Sequence, residues 1–229
     1  MMSWDEFSYT IGVLWKGFGL TLYIGLWGIA LSLLLGVGLA LMRLSNQRIL
    51  RAVAFSYSTA FRGTPLLVQL FLLYYGVGMI SWVKQVPFLW WLFSDGTRTA
   101  ILAIALNSGA YVGEVFRGGF QAVPKGQIEA AQAIGMSAWQ CFKRVRLPLA
   151  IRQALPAYSN EIVIAIKGTS LASTIAVLEL TGYARRIMSQ NYAIVETFVI
   201  AGLLYLAINF SLLAIIHIIE RQLHLKPSG

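Results

Sequence analysis

Three acidic side chains stand in or beside apolar stretches of this sequence: Glu114, Glu161 and Glu179. An ionisable group in a low-dielectric setting is costly unless it is paired, so each is a candidate for a functional site. Their chemistry would be the binding of a charged ligand. No nucleophile with a neighbouring base is recognisable in the chain, which argues against enzymatic chemistry.

Glu161 is the strongest of these candidates. It directly follows Tyr158, Ser159 and Asn160, so donors and acceptors cluster on one helical turn within an apolar run. A carboxylate beside amide groups in a water-filled cavity suits a cationic or zwitterionic ligand. The competing interpretation is structural: Glu161 pairs with a basic residue such as Lys167, or with a polar group on another helix.

The other two acids have simpler interpretations. Glu114 precedes Arg117 by three residues, which predicts an intrahelical ion pair. Glu179 is expected to lie near the outer surface and to be solvated.

A second polar turn contains Asn107, Ser108 and Tyr111. These side chains face the same cavity as Glu161 or form hydrogen bonds between helices, and both interpretations stay open. Gly109 and Gly113 have the small-xxx-small spacing that permits close helix packing.

Several kinds of site are excluded. The nucleotide-binding pattern G-x-x-x-x-G-K-[ST] is absent, and the nearest string, Lys167–Ser170, has Lys and Gly in the reverse order. The histidines, His217 and His224, do not cluster as metal ligands do. The single cysteine, Cys141, permits neither an internal disulfide nor a metal-site spacing.

Composition places these residues in a membrane protein. The chain has 229 residues, of which 58% are hydrophobic and 12% charged. Soluble domains average about 25% charged residues, so much of the usual solvating charge is missing. The net charge of +9 flanks the apolar runs and forms no continuous stripe, which argues against nucleic-acid binding.

The apolar runs predict about five helical spans, because a crossing needs about 20 apolar residues. Their approximate ranges are 18–41, 54–80, 99–120, 150–177 and 198–219. The second is expected to be interrupted at 61–65, where Pro65 removes a backbone donor and disfavours helix at Thr64. Residues 1–17 are expected to lie along the interface or to form a loose, aromatic-anchored terminus.

Lys and Arg near the span ends predict the orientation. Eleven of these residues mark one side: Arg43, Arg48, Arg51, Arg117, Lys125, Lys143, Arg144, Arg146, Arg152, Arg221 and Lys226. Five mark the other: Lys16, Lys84, Arg98, Arg185 and Arg186. The imbalance puts the N-terminus outside and the C-terminus in the cytoplasm.

The segment 127–148, QIEAAQAIGMSAWQCFKRVRLP, then forms a folded loop on the cytoplasmic side. A helix-forming block is broken by Gly135, and Ser137 is placed to cap a second short helix. Glu129-Ala130-Ala131, Gly135 and the pair Leu147-Pro148 together resemble the EAA loop of bacterial ABC importer permeases.

Three further motifs resemble the polar amino acid branch of that family. They are FRGTPLLVQ at 61–69, LNSGAYVGEVFRGG at 106–119, and YSNE at 158–161 followed by KGTSLA at 167–172. The last is similar to permeases for histidine, arginine, lysine, ornithine and opines. The resemblance covers nearly the whole chain.

The resemblance implies an all-α, polytopic helical bundle with the type I ABC importer permease fold, forming one domain over residues 1–229. Its loop at about 121–150 would dock on an ATPase through Glu129, Ala130, Ala131 and Gly135. Glu161 would contribute charge to the substrate site, and Asn160, Asn107 and Thr64 would contribute hydrogen bonds.

The implied function is that of a permease subunit of an ATP-driven importer of basic amino acids or opines in the bacterial inner membrane. The chain itself would be no enzyme and hold no cofactor, because ATP and Mg would bind to partner subunits. The implied partners are two ATP-binding cassette subunits, a second permease subunit (a copy or a paralogue) and a periplasmic or surface substrate-binding protein. The alternative is a self-contained secondary transporter or channel for cationic solutes, against which the chain has no obvious internal repeat.

Overall fold

A computed structural model of the chain describes residues 4–222. Every regular element in this range is a helix, and no strand occurs in it. The predicted all-α class is therefore confirmed.

The α-helices, in chain order, are α1 (Trp4–Leu44), α2 (Arg48–Arg62), α3 (Leu66–Phe71), α4 (Ser81–Gln85), α5 (Pro87–Phe93), α6 (Gly96–Gln121), α7 (Lys125–Ala133), α8 (Ala138–Cys141), α9 (Leu147–Gly168), α10 (Leu180–Asn191) and α11 (Ile194–Gln222). A π-helical turn, Leu72–Gly76, and a 3₁₀ turn, Val77–Met79, extend α3. A second π-helical turn, Phe142–Arg146, joins α8 to α9, and a 3₁₀ segment, Thr169–Ile175, extends α9.

Helix α1 begins much earlier than predicted. The expected interfacial or loose segment at 1–17 is helical from Trp4 onward, and residues 1–3 lie outside the described range. With 41 residues, α1 is about 60 Å long, about twice the thickness of a bilayer's hydrocarbon core. No proline interrupts it, and its first turns pack on α10 through Leu14, so the helix continues beyond the apolar stretch.

The predicted interruption in the second span is confirmed. Helix α2 starts at Arg48, earlier than the expected Ala54, and stops at Arg62. Pro65 is extended (φ −64°, ψ 139°) and caps α3. The predicted second span is therefore two separate helical pieces that meet at Gly63–Pro65, and the piece after the break, Leu66–Met79, is apolar but short.

Three described helices are long and apolar enough to cross a membrane: α1, α6 and α11. A fourth crossing results if the helical run Ala138–Ile175 and α10, bent by 46° at a short break, are counted together. Pro156 lies inside this run without ending it. By length and composition, the described residues thus contain three or four candidate crossings, against about five predicted, in a bundle that is helical throughout.

The most extensive helix contact joins α1 to α6, and glycines make it close. A Cβ on Gly36 would lie 2.5 Å from Val112 Cγ1 and 3.0 Å from the backbone N of Gly113. A Cβ on Gly109 would lie 2.8 Å from Leu35 Cδ2. The packing role predicted for Gly109 and Gly113 is confirmed.

Gly36→Ala is expected to destabilise the fold by about 1–3 kcal/mol, because the added methyl overlaps α6. Gly38→Ala is the matched control: it lies two residues along α1, and a Cβ there meets nothing within 4 Å. Since both changes raise helix propensity equally, Gly38→Ala should be neutral or slightly stabilising. Thermal unfolding of the purified chain in detergent measures the difference, and equal melting temperatures would contradict this account of the packing.

Helix α10 covers one end of the bundle. Its buried face, formed by Leu180, Ala184 and Ile187, packs on Leu14 of α1 and Ile200 of α11. Arginines and polar residues make up its exposed face.

Candidate functional site

The break between α2 and α3 is held by one amide side chain. Pro65 has no N–H and Gly63–Pro65 is not helical, so carbonyls at the end of α2 lack their usual partners. Gln69 Nε2 donates to the carbonyl oxygens of Phe61 (2.8 Å) and Thr64 (3.1 Å) and to the Thr64 hydroxyl (2.7 Å). The break is therefore a defined structure.

Asn107, on α6, also forms hydrogen bonds that stabilise this break. Its Nδ2 donates to Gln69 Oε1 at 3.0 Å and to the Phe61 carbonyl oxygen at 3.3 Å. The two interpretations of this polar turn both have a counterpart in the structure, because Asn107 bonds between helices and also lines the cavity described next. Gln69 was missed by sequence reasoning, although a glutamine four residues after a proline in an apolar run is a usable signal.

A cavity of about 650 Å³ opens beside this break. It brings together α2, the break, α3, α6, α9 and the segment after α9. Its lining residues are Arg62, Gly63, Thr64, Pro65, Leu66, Asn107, Tyr111, Glu161, Ile164, Gly168 and Leu171. Three of the four predicted substrate residues, Glu161, Asn107 and Thr64, therefore share one cavity.

Asn160 is placed differently. Its side chain is exposed, and it is not among the residues that line this cavity. A helix turns about 100° per residue, so neighbours on α9 point in different directions. The structure does not bring Asn160 together with the other three.

The cavity holds two opposite charges, from Arg62 and Glu161. The Arg62 guanidinium lies 5.4 Å from the centre of the Tyr111 ring, and the Tyr111 hydroxyl donates to the Arg62 carbonyl oxygen at 3.4 Å. Among residues 4–222 no ion pair joins Glu161 to Arg62 or to Lys167. Both charges are thus available to a ligand, and the alternative pairing with Lys167 is not observed.

Arg62 was overlooked as a site residue, because in the sequence it stands out only as part of the FRGTP motif. The signal that could have found it is an arginine directly before a helix break within an apolar span. An arginine there fits carboxylate recognition, because its planar fork of N–H groups matches two carboxylate oxygens. A cavity with this pair of charges is complementary to a zwitterion, such as an amino acid.

The structural interpretation of Glu114 is confirmed. Its Oε2 accepts a hydrogen bond from Arg117 Nε at 2.7 Å, and its Oε1 lies 3.3 Å from Arg43 Nε. The carboxylate therefore joins α6 to α1. It takes no part in the cavity.

The expectation that Glu179 is solvated was wrong, since its exposed fraction is 0%. Its Oε1 accepts from the Gly182 N–H at 2.8 Å, and its Oε2 accepts from the Thr181 N–H at 3.0 Å. The hydroxyls of Tyr205 (2.6 Å) and Thr21 (3.4 Å) also donate to Oε2. The carboxylate caps α10 and ties it to α1 and α11, so the cost of burial is met by donors instead of water.

The loop after α6 folds as two short helices around Gly135. Gly135 has φ +83°, a conformation that disfavours any side chain, so it ends the first helix and turns the chain. The Ser137 hydroxyl accepts from the Gln140 N–H, and the Gln140 side chain accepts from the Ser137 N–H. The predicted cap at Ser137 is confirmed.

The tip of this loop exposes apolar side chains that sequence reasoning did not single out. Ile134 and Trp139 are 75% and 68% exposed. Of the predicted docking residues, Glu129 and Ala130 are exposed while Ala131 is buried. The surface at the tip therefore combines one acid with two large apolar groups, a composition typical of a protein contact.

Comparison with known proteins gives the chain's relationships. The sequence matches the family described as "Binding-protein-dependent transport system inner membrane component" over residues 28–225. It is 52% identical over 184 residues to the nopaline transport system permease protein NocM of Agrobacterium fabrum, covering 79% of this chain and 76% of that protein. It is 36% identical over 228 residues to the histidine/lysine/arginine/ornithine transport system permease protein HisM of Escherichia coli, covering 99% and 96%.

Two solved structures share the fold. One, a crystal structure of an amino acid ABC transporter with histidines, superposes with a TM-score of 0.83 at 31% identity and covers 97% of this chain and 99% of that one. An inward-facing MetNI methionine ABC transporter superposes with a TM-score of 0.66 at 20% identity, covering 97% and 99%. At 20% identity, the similarity to the methionine transporter supports a shared fold and nothing more.

Proposed function

Because this chain belongs to the binding-protein-dependent transport system inner membrane components, it is a permease subunit of an ABC importer, and we propose that its cargo is a basic amino acid or an opine. The subunit is a multi-pass membrane protein and forms the translocation path. Family membership sets aside the alternative of a self-contained secondary transporter or channel.

The observation that carries the cargo proposal is the pair of opposite charges, Arg62 and Glu161, in one cavity without an ion pair between them. Every amino acid presents the complementary charges, a carboxylate and an ammonium group, and a basic amino acid has a second cationic group that Glu161 could bind instead. The choice of a basic amino acid or an opine is supported by the names of relatives, which include permeases of nopaline and of histidine, lysine, arginine and ornithine systems.

In this proposal Glu161 binds the cationic group and Arg62 binds the carboxylate. Asn107 and Thr64 offer hydrogen bonds from the wall, although Asn107 Nδ2 already donates to Gln69 and the Thr64 hydroxyl already donates to the Ala60 carbonyl oxygen at 2.8 Å. Asn107 and Thr64 therefore also stabilise the break between α2 and α3. Asn160, outside this cavity, would have to meet the cargo at another stage of its passage.

The driving force comes from elsewhere in the assembly. A binding protein delivers the cargo to the outer mouth, and two ATPase subunits, which bind ATP and Mg, close on ATP and move the spans. The loop with Glu129, Ala130, Ala131 and Gly135 transmits this movement and performs no chemistry. The second permease subunit is a further copy of this chain or a paralogue.

The orientation belongs to the same proposal. The N-terminus lies outside and the C-terminus in the cytoplasm, because eleven of the flanking Lys and Arg residues mark the loop side and five the opposite side. The last of the eleven, Lys226, lies outside the described residues.

Copurification of the ATPase subunit tests the proposed coupling. A double change, Glu129→Ala with Gly135→Ala, is expected to reduce the copurified ATPase severalfold. It removes an exposed charge, and it forces a side chain into a left-handed conformation that costs about 1–2 kcal/mol. This strain should lower the melting temperature of the permease by no more than about 2–8 °C. The yield should change little, because a Cβ at Gly135 would meet nothing within 4 Å.

Gly126→Ala is the matched control. A Cβ at Gly126 also meets nothing within 4 Å, but its backbone is not in the left-handed region. It should leave the copurified ATPase at the level of the unchanged chain. Equal ATPase recovery from the double variant and the control would contradict the assignment of the loop.

A further inference from the structure

A second cavity of about 610 Å³ lies between α1, α5 and the start of α6. It shares no lining residue with the cavity of Glu161. Along one side run Tyr23, Trp27 and Leu31, which are four residues apart and therefore lie on one face of α1. Ile101 and Leu102 of α6 continue the wall, so this part of the cavity, here called the α1–α6 groove, is apolar.

One end of the α1–α6 groove is charged. The Arg98 guanidinium lies 4.5 Å from the Trp91 ring centre, and Arg98 Nε lies 3.8 Å from Asp95 Oδ1. That Nε is buried and has no hydrogen-bond partner within residues 4–222. Nε itself is enclosed by protein atoms, but the side chains of Arg98 and Asp95 are 32% and 44% exposed, so a ligand in the groove can reach their charged ends.

The direction of the groove fits one leaflet of a membrane. Helix α6 begins at Gly96, so Arg98 stands at the membrane boundary, with the aromatic side chains typical of that depth around it. Gly28 of α1 packs on Ile104, which places Tyr23 near the level of Arg98. From Tyr23 to Leu31 the groove descends about 12 Å, into the hydrocarbon.

We propose that the α1–α6 groove binds a phospholipid with a phosphoethanolamine headgroup. The phosphate accepts from Arg98, because guanidinium N–H groups match phosphate oxygens. The ammonium group donates to the Asp95 carboxylate, and one acyl chain lies along Trp27 and Leu31. An acidic and a basic side chain at one end of an apolar groove are complementary to a zwitterionic headgroup above a tail, and an anionic headgroup would be repelled by Asp95.

The test titrates lipids against the purified full-length chain in its assembled importer and counts bound lipid by native mass spectrometry. Phosphatidylethanolamine should bind more tightly than phosphatidylglycerol, and also than phosphatidylcholine, whose methylated nitrogen cannot donate to Asp95. Arg98→Gln should weaken phosphatidylethanolamine binding at least fivefold. Arg186→Gln, which removes an exposed arginine outside the groove, is the control and should change nothing.

Asp95→Asn tests the recognition of the headgroup without disturbing the fold. Asp95 caps α6 by accepting from the Arg98 N–H, and asparagine caps equally well. The variant should therefore fold normally while its preference for phosphatidylethanolamine over phosphatidylglycerol falls at least threefold.

Three results would overturn the proposal. They are unchanged lipid binding in Arg98→Gln, an unchanged chain that binds all three lipids equally, and loss of the second permease subunit from the Arg98→Gln complex. The last would mean that the groove is a contact between subunits.

Discussion

Glu161→Gln is expected to lower ATP-driven uptake of a basic amino acid by about tenfold to a hundredfold while leaving the complex assembled. The change keeps the size of the side chain and removes its charge. A hydrogen bond to a charged group contributes about 1.5–3 kcal/mol, and each 1.4 kcal/mol is about tenfold in affinity. Initial uptake rates into proteoliposomes that contain the ATPase and the binding protein measure the effect, together with cargo-stimulated ATP hydrolysis.

Two comparisons make the experiment specific. Glu196→Gln, the same change at a half-buried acid of α11 outside the cavity, should leave uptake unchanged. Arg62→Gln should also lower uptake, because it removes the proposed carboxylate partner. Full uptake by Glu161→Gln would show that its charge is not used for the cargo, and loss of uptake through loss of assembled complex would indicate a structural role.

Glu179→Ala is expected to lower the melting temperature of the purified chain by roughly 6–12 °C. The change leaves the N–H groups of Thr181 and Gly182 without an acceptor in a buried place, and it cuts the bond to Tyr205. Loss of a buried charged group with several partners costs about 3 kcal/mol or more. In a chain of this size about 1 kcal/mol corresponds to about 2–4 °C.

A graded series checks this account of Glu179. Tyr205→Phe removes a single donor to the carboxylate and should cost about 1.5–3 kcal/mol. Its melting shift should be smaller than that of Glu179→Ala, because the N–H groups of Thr181 and Gly182 keep their acceptor. Glu196→Gln again serves as the control, with no shift expected. If Glu179→Ala melted within about 2 °C of the unchanged chain, the carboxylate would not hold α10 to α1 and α11.

The sequence predicted those parts of the fold that depend on local chemistry. The break at Pro65 follows from its missing N–H and from its effect on Thr64, and the cap at Ser137 depends on the three residues after it, so both could be predicted. Proline alone does not decide, because Pro156 lies inside α9. Gly113 could be assigned to packing because its spacing from Gly109 is itself a helix-surface property. The same applies to the pair Glu114 and Arg117, which lie within one turn.

Glu179 illustrates what could not be predicted. Its sequence neighbours are polar enough to suggest water, and its burial depends on Thr21 and Tyr205, which are distant along the chain. No local sequence pattern predicts contacts between residues so far apart in the chain. The early start of α1 has a similar cause, because Leu14 is held by packing against α10.

The cavity was predicted in outline only. Glu161 was recognised because a carboxylate within an apolar run is costly, and that argument needs no partner. The contribution of Arg62 requires knowing that the break after α2 faces α9, which is a tertiary fact. Asn160 was grouped with Glu161 by proximity in sequence, although adjacent helical residues point to different sides.

The helical run from Ala138 to Ile175 has a mechanical consequence. It carries α8 of the loop at one end and, about 35 Å away at 1.5 Å per residue, the carboxylate of Glu161. It can therefore act as a lever. A tilt of about 10° about its loop end would displace Glu161 by about 6 Å, twice the length of a hydrogen bond of about 2.9 Å. A small rotation at the loop end of this run would thus be enough to separate Glu161 from a bound ligand. The side chains that line the cavity would not have to change their charge.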